Sequence, residues 1–523
     1  MIPQKSNTLK PHTLIAALLF LILLAVGFSI YQDYGVSWDE PIQRELGYTN
    51  MRYMLGRDDA LLTEKDRFYG PTFELFLILA EKVFRPAASC EVFFLRHLMT
   101  FLLFATGTVF FYILSRNLFA KASTALLCTM ALVLSPRIFD NAFYNTKDIP
   151  LLVFFVICFA FLFLYINTRR IVYLIALAVV SAVCVTVRIL GVIIPLFTLA
   201  VLFLEGRDAP GAFGLKARAI APRLVVYLLP LAAFTILCWP ILWSNPIGHF
   251  FQALAQMSNF EWDRTVLFMG KIYPGLNVPP SYPVVWILIS TPILYSVLFI
   301  VGCAFLAIDG IKAKSRLLEG QVLKLLLIAG WFFIPLLAVI ILNSTLYDSW
   351  RHLFFIYPAL LLLAFFGLER ITTQWKPAGG RFPYASAAAY GLLAVTFLTT
   401  AHFMVRAHPY QQVYFNFLAG RNLSEAQERY DMDYWGLSYR SGLEYITRTD
   451  PSPSIAYTAE TAPGSYTFIL PEADQARLNF IYNEQDAKYI LLNYRWTKTI
   501  PPYPEVYSVK VDGATILSVF KKE

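Results

Sequence analysis

The sequence predicts a polytopic α-helical membrane protein of about eleven transmembrane helices, with a small α/β domain at its C-terminal end. Three observations carry this. The 523 residues are 57% hydrophobic and 15% charged, against about 25% charged in a soluble globular chain. Apolar runs recur at the length of about 20 residues that crosses a hydrocarbon core. After about residue 403 the chain is too polar to span. A soluble cytosolic enzyme is excluded, and 26 Gly with 30 Pro are too few for a collagen-like or low-complexity chain.

The spans are read at 13–31, 95–114, 122–136, 149–166, 171–187, 189–204, 223–242, 284–305, 323–343, 352–369 and 384–402. The third, fifth and sixth are short for the bilayer, as thin or tilted partners of a re-entrant pair are. Lys and Arg near the span ends set the orientation. With the N-terminus inside, the inner segments hold 17 basic residues against five acidic ones, among them Lys5, Lys10, Arg116, Lys121, Arg169, Arg170, Lys314, Arg316, Lys324, Arg370, Lys376 and Arg381. The loop 32–94 and the tail are then outside and near neutral or slightly acidic. The net charge of +8 is thereby a topology signal. No basic patch interleaved with aromatics lies on an aqueous segment, so no nucleic acid is expected. No small-x-small cleavage site follows the first span, which reads as an uncleaved helix. Five of the six cysteines lie in or at the ends of spans, and none shows C-x-x-C or zinc spacing, so no disulfide framework is expected.

The first outer loop is the most informative. It opens Tyr34-Gly35-Val36-Ser37-Trp38-Asp39-Glu40-Pro41, two adjacent carboxylates just past a span. They read as a helix N-cap pair and as acids facing a cleft, and the two are compatible. Residues 42–55 have helical spacing with an apolar face of Ile42, Leu46, Tyr53 and Met54, as in a helix lying on the membrane surface. Arg67-Phe68-Tyr69-Gly70-Pro71 follows, then a second interfacial helix at 72–84.

The loop 137–148 holds Arg137, Asp140, Asn141, Asn145, Lys147 and Asp148 between two apolar spans. So many polar groups there suggest a lined, wet cavity; the alternative is that Asp148 caps the next helix and Lys147 is solvated. Arg188 stands between two apolar runs with almost no loop, which is costly unless it is paired or wet; snorkelling is the alternative. Arg351-His352 starts the tenth span after Tyr347-Asp348-Ser349-Trp350, with interfacial anchoring as the alternative. Carboxylates from two loops and cations from three thus fall on one side. Sugar transfer from a lipid phosphate needs that mixture: a carboxylate to take the acceptor proton and cations to hold the departing phosphate.

These motifs resemble the GT-C glycosyltransferases, in particular glycosyltransferase family 39, which includes the protein O-mannosyltransferases and the lipid A aminoarabinose transferases. The resemblance covers roughly residues 10–400. It rests on the Asp39-Glu40 pair, the Gly70-Pro71 step and the Lys147-Asp148 pair, with the multi-span layout and the outer C-terminal domain. It implies a GT-C-like catalytic domain at 1–402 and an extracytoplasmic α/β domain at 403–523. It implies inverting transfer from a polyprenyl-phosphate donor, with Asp39 as general base, Glu40 as its neighbour orienting the base or the acceptor, and Asp148 as a second acid. Lys147, Arg188, Arg351 and, more weakly, His352 are implied as the donor-phosphate site. Arg188 stands where some relatives have Lys. The beta-trefoil-like insert of the eukaryotic O-mannosyltransferases is missing from 243–283, and the chain looks bacterial. The implied location is the inner (plasma) membrane, N-terminus cytoplasmic and tail periplasmic.

No nucleotide cofactor is expected, because no Gly-rich phosphate loop is present. A divalent metal stays open, with Asp39, Glu40 and Asp148 as candidate oxygen ligands. The partners implied are the donor, a glycolipid, glycan or protein acceptor, and the bilayer. The competing readings are a transporter or flippase of lipid-linked glycans, and a non-catalytic sensor. A transporter predicts ionisable groups near the midplane and internal repeats, and neither is seen.

In the loop 243–283 an amphipathic stretch, 247–258, places Phe250, Phe251, Leu254 and Met257 on one face, and Lys271 to Gly275 reads as a lid hinge. In the tail, a helix is expected at 437–448 and strands near 454–458, 465–470, 478–482, 488–493 and 505–520, with Asp512-Gly513 as a type I′ hairpin turn. The Asp433-Tyr434-Trp435 cluster reads as docking the tail on the membrane part, or as carbohydrate-binding.

Overall fold

The computed structural model describes residues 11–208, 213–258, 260, 262–313, 318–374, 384–460 and 464–522. Lys5, Lys10, Lys314, Arg316, Lys376 and Arg381 of the orientation argument lie outside them. Among the described residues, nine helices are long and apolar enough to cross a membrane: Pro11–Ile30, Ser89–Leu118, Asp148–Thr168, Ile189–Arg207, Ile220–Cys238, Ile293–Ala313, Gly320–Ile341, Arg351–Thr373 and Ala385–Arg406. Ile171–Val187 is apolar but shorter.

Two expected spans are built differently. The run 122–136 is the first half of a bent pair, Ala122–Val133 and Pro136–Tyr144, at 62°. The expected loop 137–148 is therefore mostly helix, and all nine residues of Pro136–Tyr144 are buried. The run 284–305 is broken into Tyr282–Ser290 and Ile293–Ala313. Thr291 at the break is extended, because Pro292 has no N–H to offer and disfavours helical geometry in the residue before it.

Burial separates centre from periphery. The most apolar windows of Arg351–Thr373 and Asp148–Thr168 are 94% and 78% buried, while that of Pro11–Ile30 is 11% buried. Asp148–Thr168 packs against Ser89–Leu118 and Ile171–Val187; Arg351–Thr373 packs against Ile293–Ala313 and Gly320–Ile341. At the ends away from the first outer loop, Lys324 Nζ donates to the Asn117 carbonyl at 3.1 Å, and Arg370 pairs with Asp309 at 2.7 Å.

The tail forms a five-stranded sheet. Its order is Leu478–Phe480, Ile455–Ala459, Tyr489–Leu492, Ala514–Lys521, Glu505–Val511, parallel across the first three and antiparallel across the rest. Tyr439–Thr449 is the expected helix, and Asp512 and Gly513 turn the last hairpin with φ of 42° and 88°. The expected strand 465–470 is a 3-10 turn, Ser465–Ile469. One continuous apolar core runs from the bundle (Phe101, Phe143) through Tyr34 and Trp435 to Leu443 and Leu517 of the sheet layer.

The loop 243–283 is more ordered than expected. Pro246–Ser258 is helical, with Phe250 and Leu254 packed on a small cluster around Trp239 and Phe251 exposed, so the four apolar residues do not share one buried face; the side chain of Met257 is outside the described residues. Lys271–Pro274 is no hinge but a strand, paired antiparallel with Thr265–Phe268. The hairpin is tied to the tail where Asp431 Oδ2 accepts from the Leu267 N–H at 3.0 Å. Burial pushes Asp431 up to about 7, against the pull of Arg495 and the Leu267 N–H. A carboxyl raised above its unfolded value of about 3.9 holds its proton more tightly when folded. That stability is full below about pH 4 and is lost as pH rises through 7. Asp431→Asn, which keeps an acceptor for Leu267, is expected to melt higher than the parent at pH 8 and equal to it at pH 4, in thermal unfolding scans.

Candidate active site

Asp39 opens the Asp39–Met54 helix, in its first turn, where a negative charge meets the positive helix end. Pro41 falls in the same turn, where its missing N–H costs nothing. The entry to this helix is gripped by the tail: the Trp38 N–H donates to the Trp435 carbonyl at 3.3 Å, and Arg440 Nη1 donates to the Tyr34 carbonyl at 3.0 Å.

Asp39 is the meeting point of three chain segments. Its Oδ2 lies 2.8 Å from Lys147 Nζ and 3.5 Å from Arg351 Nη1. Burial acts to raise the Asp39 carboxyl, and Lys147, Arg351 and Arg188 outweigh it, holding it below the usual carboxylate value. Lys147 also lies over the Tyr69 ring, 5.2 Å from its centroid.

Asp148 sits behind this pair. Its Oδ2 faces Arg351 Nη1 at 3.3 Å and accepts from Asn145 Nδ2 at 3.0 Å, and its Oδ1 pairs with Arg188. The helix start at 148 is capped by Asn145, whose Oδ1 accepts from the Asp148 N–H at 2.9 Å. Asp148 is thus free to use its carboxylate on the two guanidinia rather than on the helix. Arg188 does not snorkel; it ends Ile171–Val187 in extended geometry and is turned onto Asp148.

Gly70 explains how the first outer loop reaches Arg188. A Cβ on Gly70 would collide with the Thr186 carbonyl oxygen and crowd the Val187 backbone. Gly70→Ala is expected to push the loop off the helix end that presents Arg188. Overpacking of this kind costs about 1–3 kcal/mol, to be read as a lower melting temperature.

Arg351 is 1% exposed and carries most of the network. Besides Asp39 and Asp148 it pairs with Asp348 at 3.1 Å, and its guanidinium lies over the rings of Trp435 (4.6 Å) and Tyr347 (5.0 Å). Tyr347 stacks on Trp262 with centroids 4.2 Å apart, and burial pushes its hydroxyl up to about 12. Asp348 also meets Arg495 from the tail. Burial raises Asp348 despite both guanidinia. Among the directly ion-paired groups, Lys147, Arg188, Arg351 and Arg495 face Asp39, Asp148 and Asp348, four cations to three carboxylates and so one net positive charge.

Five of the seven residues singled out in the sequence (Asp39, Lys147, Asp148, Arg188 and Arg351) therefore converge. Glu40 does not. It is 1% exposed, accepts from the Ser37 N–H at 2.7 Å and faces His97 Nε2 at 3.0 Å, so it closes its own helix start and ties it to Ser89–Leu118. His352 lies at the edge, with its ring edge-on to Tyr347 at 4.6 Å and its Nδ1 without a partner. Asp39, Glu40 and Asp148 do not form a metal cage in this arrangement: two face cations and the third faces His97. Among the described residues no group of three or more His, Cys, Asp or Glu is placed to hold a metal ion.

Sequence reasoning missed Asp348, Tyr69 and Arg495. Asp348 and Ser349 have φ of 56° and 63°, a conformation no pattern of residue types announces. Asp433-Tyr434-Trp435 does dock the tail: Trp435 Nε1 donates to Asn141 Oδ1 at 3.1 Å. It also roofs the site, because Arg351 lies against that same Trp435 ring.

No family model matches the chain, and no curated protein matches it. Among solved structures it is similar to ArnT from Cupriavidus metallidurans bound to undecaprenyl phosphate, at 14% identity and a TM-score of 0.49 over 96% of this chain and 97% of that one. It is also similar to the apo oligosaccharyltransferase of Archaeoglobus fulgidus, at 13% identity and 0.49 over 91% of this chain and 65% of that one. The oligosaccharyltransferase AglB of the same organism, in complex with an inhibitory peptide and a dolichol-phosphate, is similar at 12% identity and 0.47, over 91% and 69%.

Proposed function

We propose that the chain is a membrane glycosyltransferase that moves a sugar from a polyprenyl-phosphate donor to an acceptor hydroxyl with inversion. The observation that carries this reading is Asp39, a buried carboxylate set against Lys147 and Arg351 in a cluster with one net positive charge. The phosphodiester of such a donor carries one negative charge, which matches that surplus. The lipid tail enters from the bilayer, where it is cheapest to keep, and the phosphate meets Lys147, Arg351 and Arg188.

The step is a single displacement. The acceptor oxygen attacks the anomeric carbon from the face opposite the phosphate. The bond from that carbon to the phosphate oxygen breaks, and its electron pair leaves with the phosphate. The acceptor proton passes to an Asp39 oxygen. The leaving phosphate gains negative charge as this happens, so the guanidinia that face it stabilise the transition state more than the ground state. In the donor-free protein Lys147 and Arg351 hold Asp39 as a weak base. When the phosphate engages them, burial again raises Asp39 toward the range a base needs. The acid limb of the pH profile is therefore expected at lower pH in kcat/KM, which reports the free enzyme, than in kcat, which reports the complex.

The similarity to lipid-linked transferases supports this reading only at the level of fold. The site end of the helices is assigned to the extracytoplasmic face of a bacterial inner membrane, with 403–523 on that side, because basic residues favour the opposite end. The acceptor is a glycolipid, a glycan or a protein.

The test is a transfer assay with purified protein in nanodiscs. Radiolabelled polyprenyl-phosphate sugars and a membrane lipid extract are supplied, with Asp39→Asn alongside. Label passing to an acceptor with the parent protein and not with the variant supports the reading. No transfer from any donor, with labelled lipid changing leaflet in sealed vesicles, overturns it in favour of a transporter.

A further inference from the structure

We infer that Arg495 is a positioning residue for the donor-phosphate site: from the C-terminal region it holds Asp348, and through Asp348 it sets where Arg351 stands. The inference rests on the glycosyltransferase reading and adds a role for the tail that the loop motifs do not contain.

The geometry is a chain of contacts from the sheet to the phosphate cations. Glu460 follows the Ile455–Ala459 strand and receives the Arg495 N–H at 3.3 Å and the Trp496 N–H at 2.5 Å. Tyr494, just before, has a φ of 61°. This pinned turn aims Arg495 out of the tail, and its side chain is 5% exposed. Arg495 donates to Asp348 and to the Tyr434 carbonyl. It lies over the Trp496 ring at 4.3 Å and the Trp38 ring at 5.7 Å. It therefore touches both arms of the site, the turn before Arg351 and the residue before Asp39.

Asp348 needs such a partner. It is 1% exposed and stands between two guanidinia, with its backbone and that of Ser349 in the left-handed region. Non-glycine residues stay there only when their surroundings over-determine them. The Ser349 hydroxyl is held by donating to Tyr434 Oη at 3.3 Å, again from the tail. With Arg495 present, Asp348 divides its charge between two cations, and Arg351 keeps a hand on Asp39 and Asp148. With Arg495 gone, Asp348 has Arg351 alone. The pair tightens, and the guanidinium turns from the place where the donor phosphate is held. The loss is one of donor binding, not of the base.

The experiment compares Arg495→Ala, Arg495→Lys, Asp348→Asn and the double variant Arg495→Ala/Asp348→Asn with the parent. Donor and acceptor kinetics are measured separately, and binding of undecaprenyl phosphate is measured without acceptor. Arg495→Ala is expected to raise the donor KM and weaken undecaprenyl phosphate binding by about tenfold or more, as truncation of a buried charge pair does, with the acceptor KM unchanged. Arg495→Lys recovers part of this, having the charge without the fork. Because Arg495 acts through Asp348, the double variant is expected to lose no more than Asp348→Asn alone, a non-additive cycle. Should Arg495→Ala fail to fold, Glu460→Gln, which loosens the same turn, is expected to raise the donor KM in the same direction. An unchanged donor KM, or an additive cycle, overturns the role of Arg495 while transfer by the parent keeps the wider reading intact. A parent protein that neither binds the lipid phosphate nor transfers sugar overturns both.

Discussion

Asp39→Asn is expected to lower transfer by about 10²–10⁴-fold, the range a positioned general base contributes, while donor binding survives. The substitution is nearly isosteric, so the start of the Asp39–Met54 helix keeps its shape. What it removes is the proton acceptor, and it also frees Lys147 and Arg351 from a competing anion. Undecaprenyl phosphate is therefore expected to bind the variant at least as tightly as the parent. Single-turnover transfer together with equilibrium binding separates the two effects. A variant that transfers normally would remove Asp39 from the chemistry, and one that loses binding and transfer alike would make it structural.

Arg351→Met is the second large expectation, and it strikes folding as well as function. Arg351 faces Asp39, Asp148 and Asp348 from a position 1% exposed. Removing one member of a buried ion pair typically costs about 3–5 kcal/mol, because the partners left behind are charged and dry. Arg188 still covers Asp148 and Arg495 still covers Asp348, so the low end of that range is expected, seen as a lower melting temperature in detergent. Transfer is expected to fall further than stability explains, by about 10²–10³-fold, as when one donor aimed at developing negative charge is lost. Arg351→Lys keeps the charge but cannot reach three carboxylates from one plane, so it is expected to recover stability better than turnover. Equal recovery of both would argue that the fork geometry is unimportant.

How much of this was legible in the chain follows from what each residue depends on. Membrane character and most span positions depend on local apolar length, which is written in consecutive residues. The Asp39–Met54 and Thr72–Phe84 helices and the Asp512-Gly513 turn are local in the same sense. Glu40, expected as the orienting neighbour of Asp39, stands against His97 and not in the charge cluster. Which of two adjacent carboxylates faces the cleft is decided by where His97 stands, 57 positions away. The hairpin 265–274 went unseen because four-residue strands leave little periodicity, and its anchor, Asp431, lies far along the chain.

Residue order along the chain determined a many-span protein with acids and cations gathered at one end of its helices, because hydrophobic length and charge asymmetry act through neighbours. Only the tertiary structure decided which charge meets which. It brought Lys147 and Arg351 to the same oxygen of Asp39, turned Glu40 away, and reached in with Arg495 from 147 positions beyond Asp348. Buried charges are stable only in specific pairings, and those pairings are chosen by packing across the whole chain, which no local pattern records.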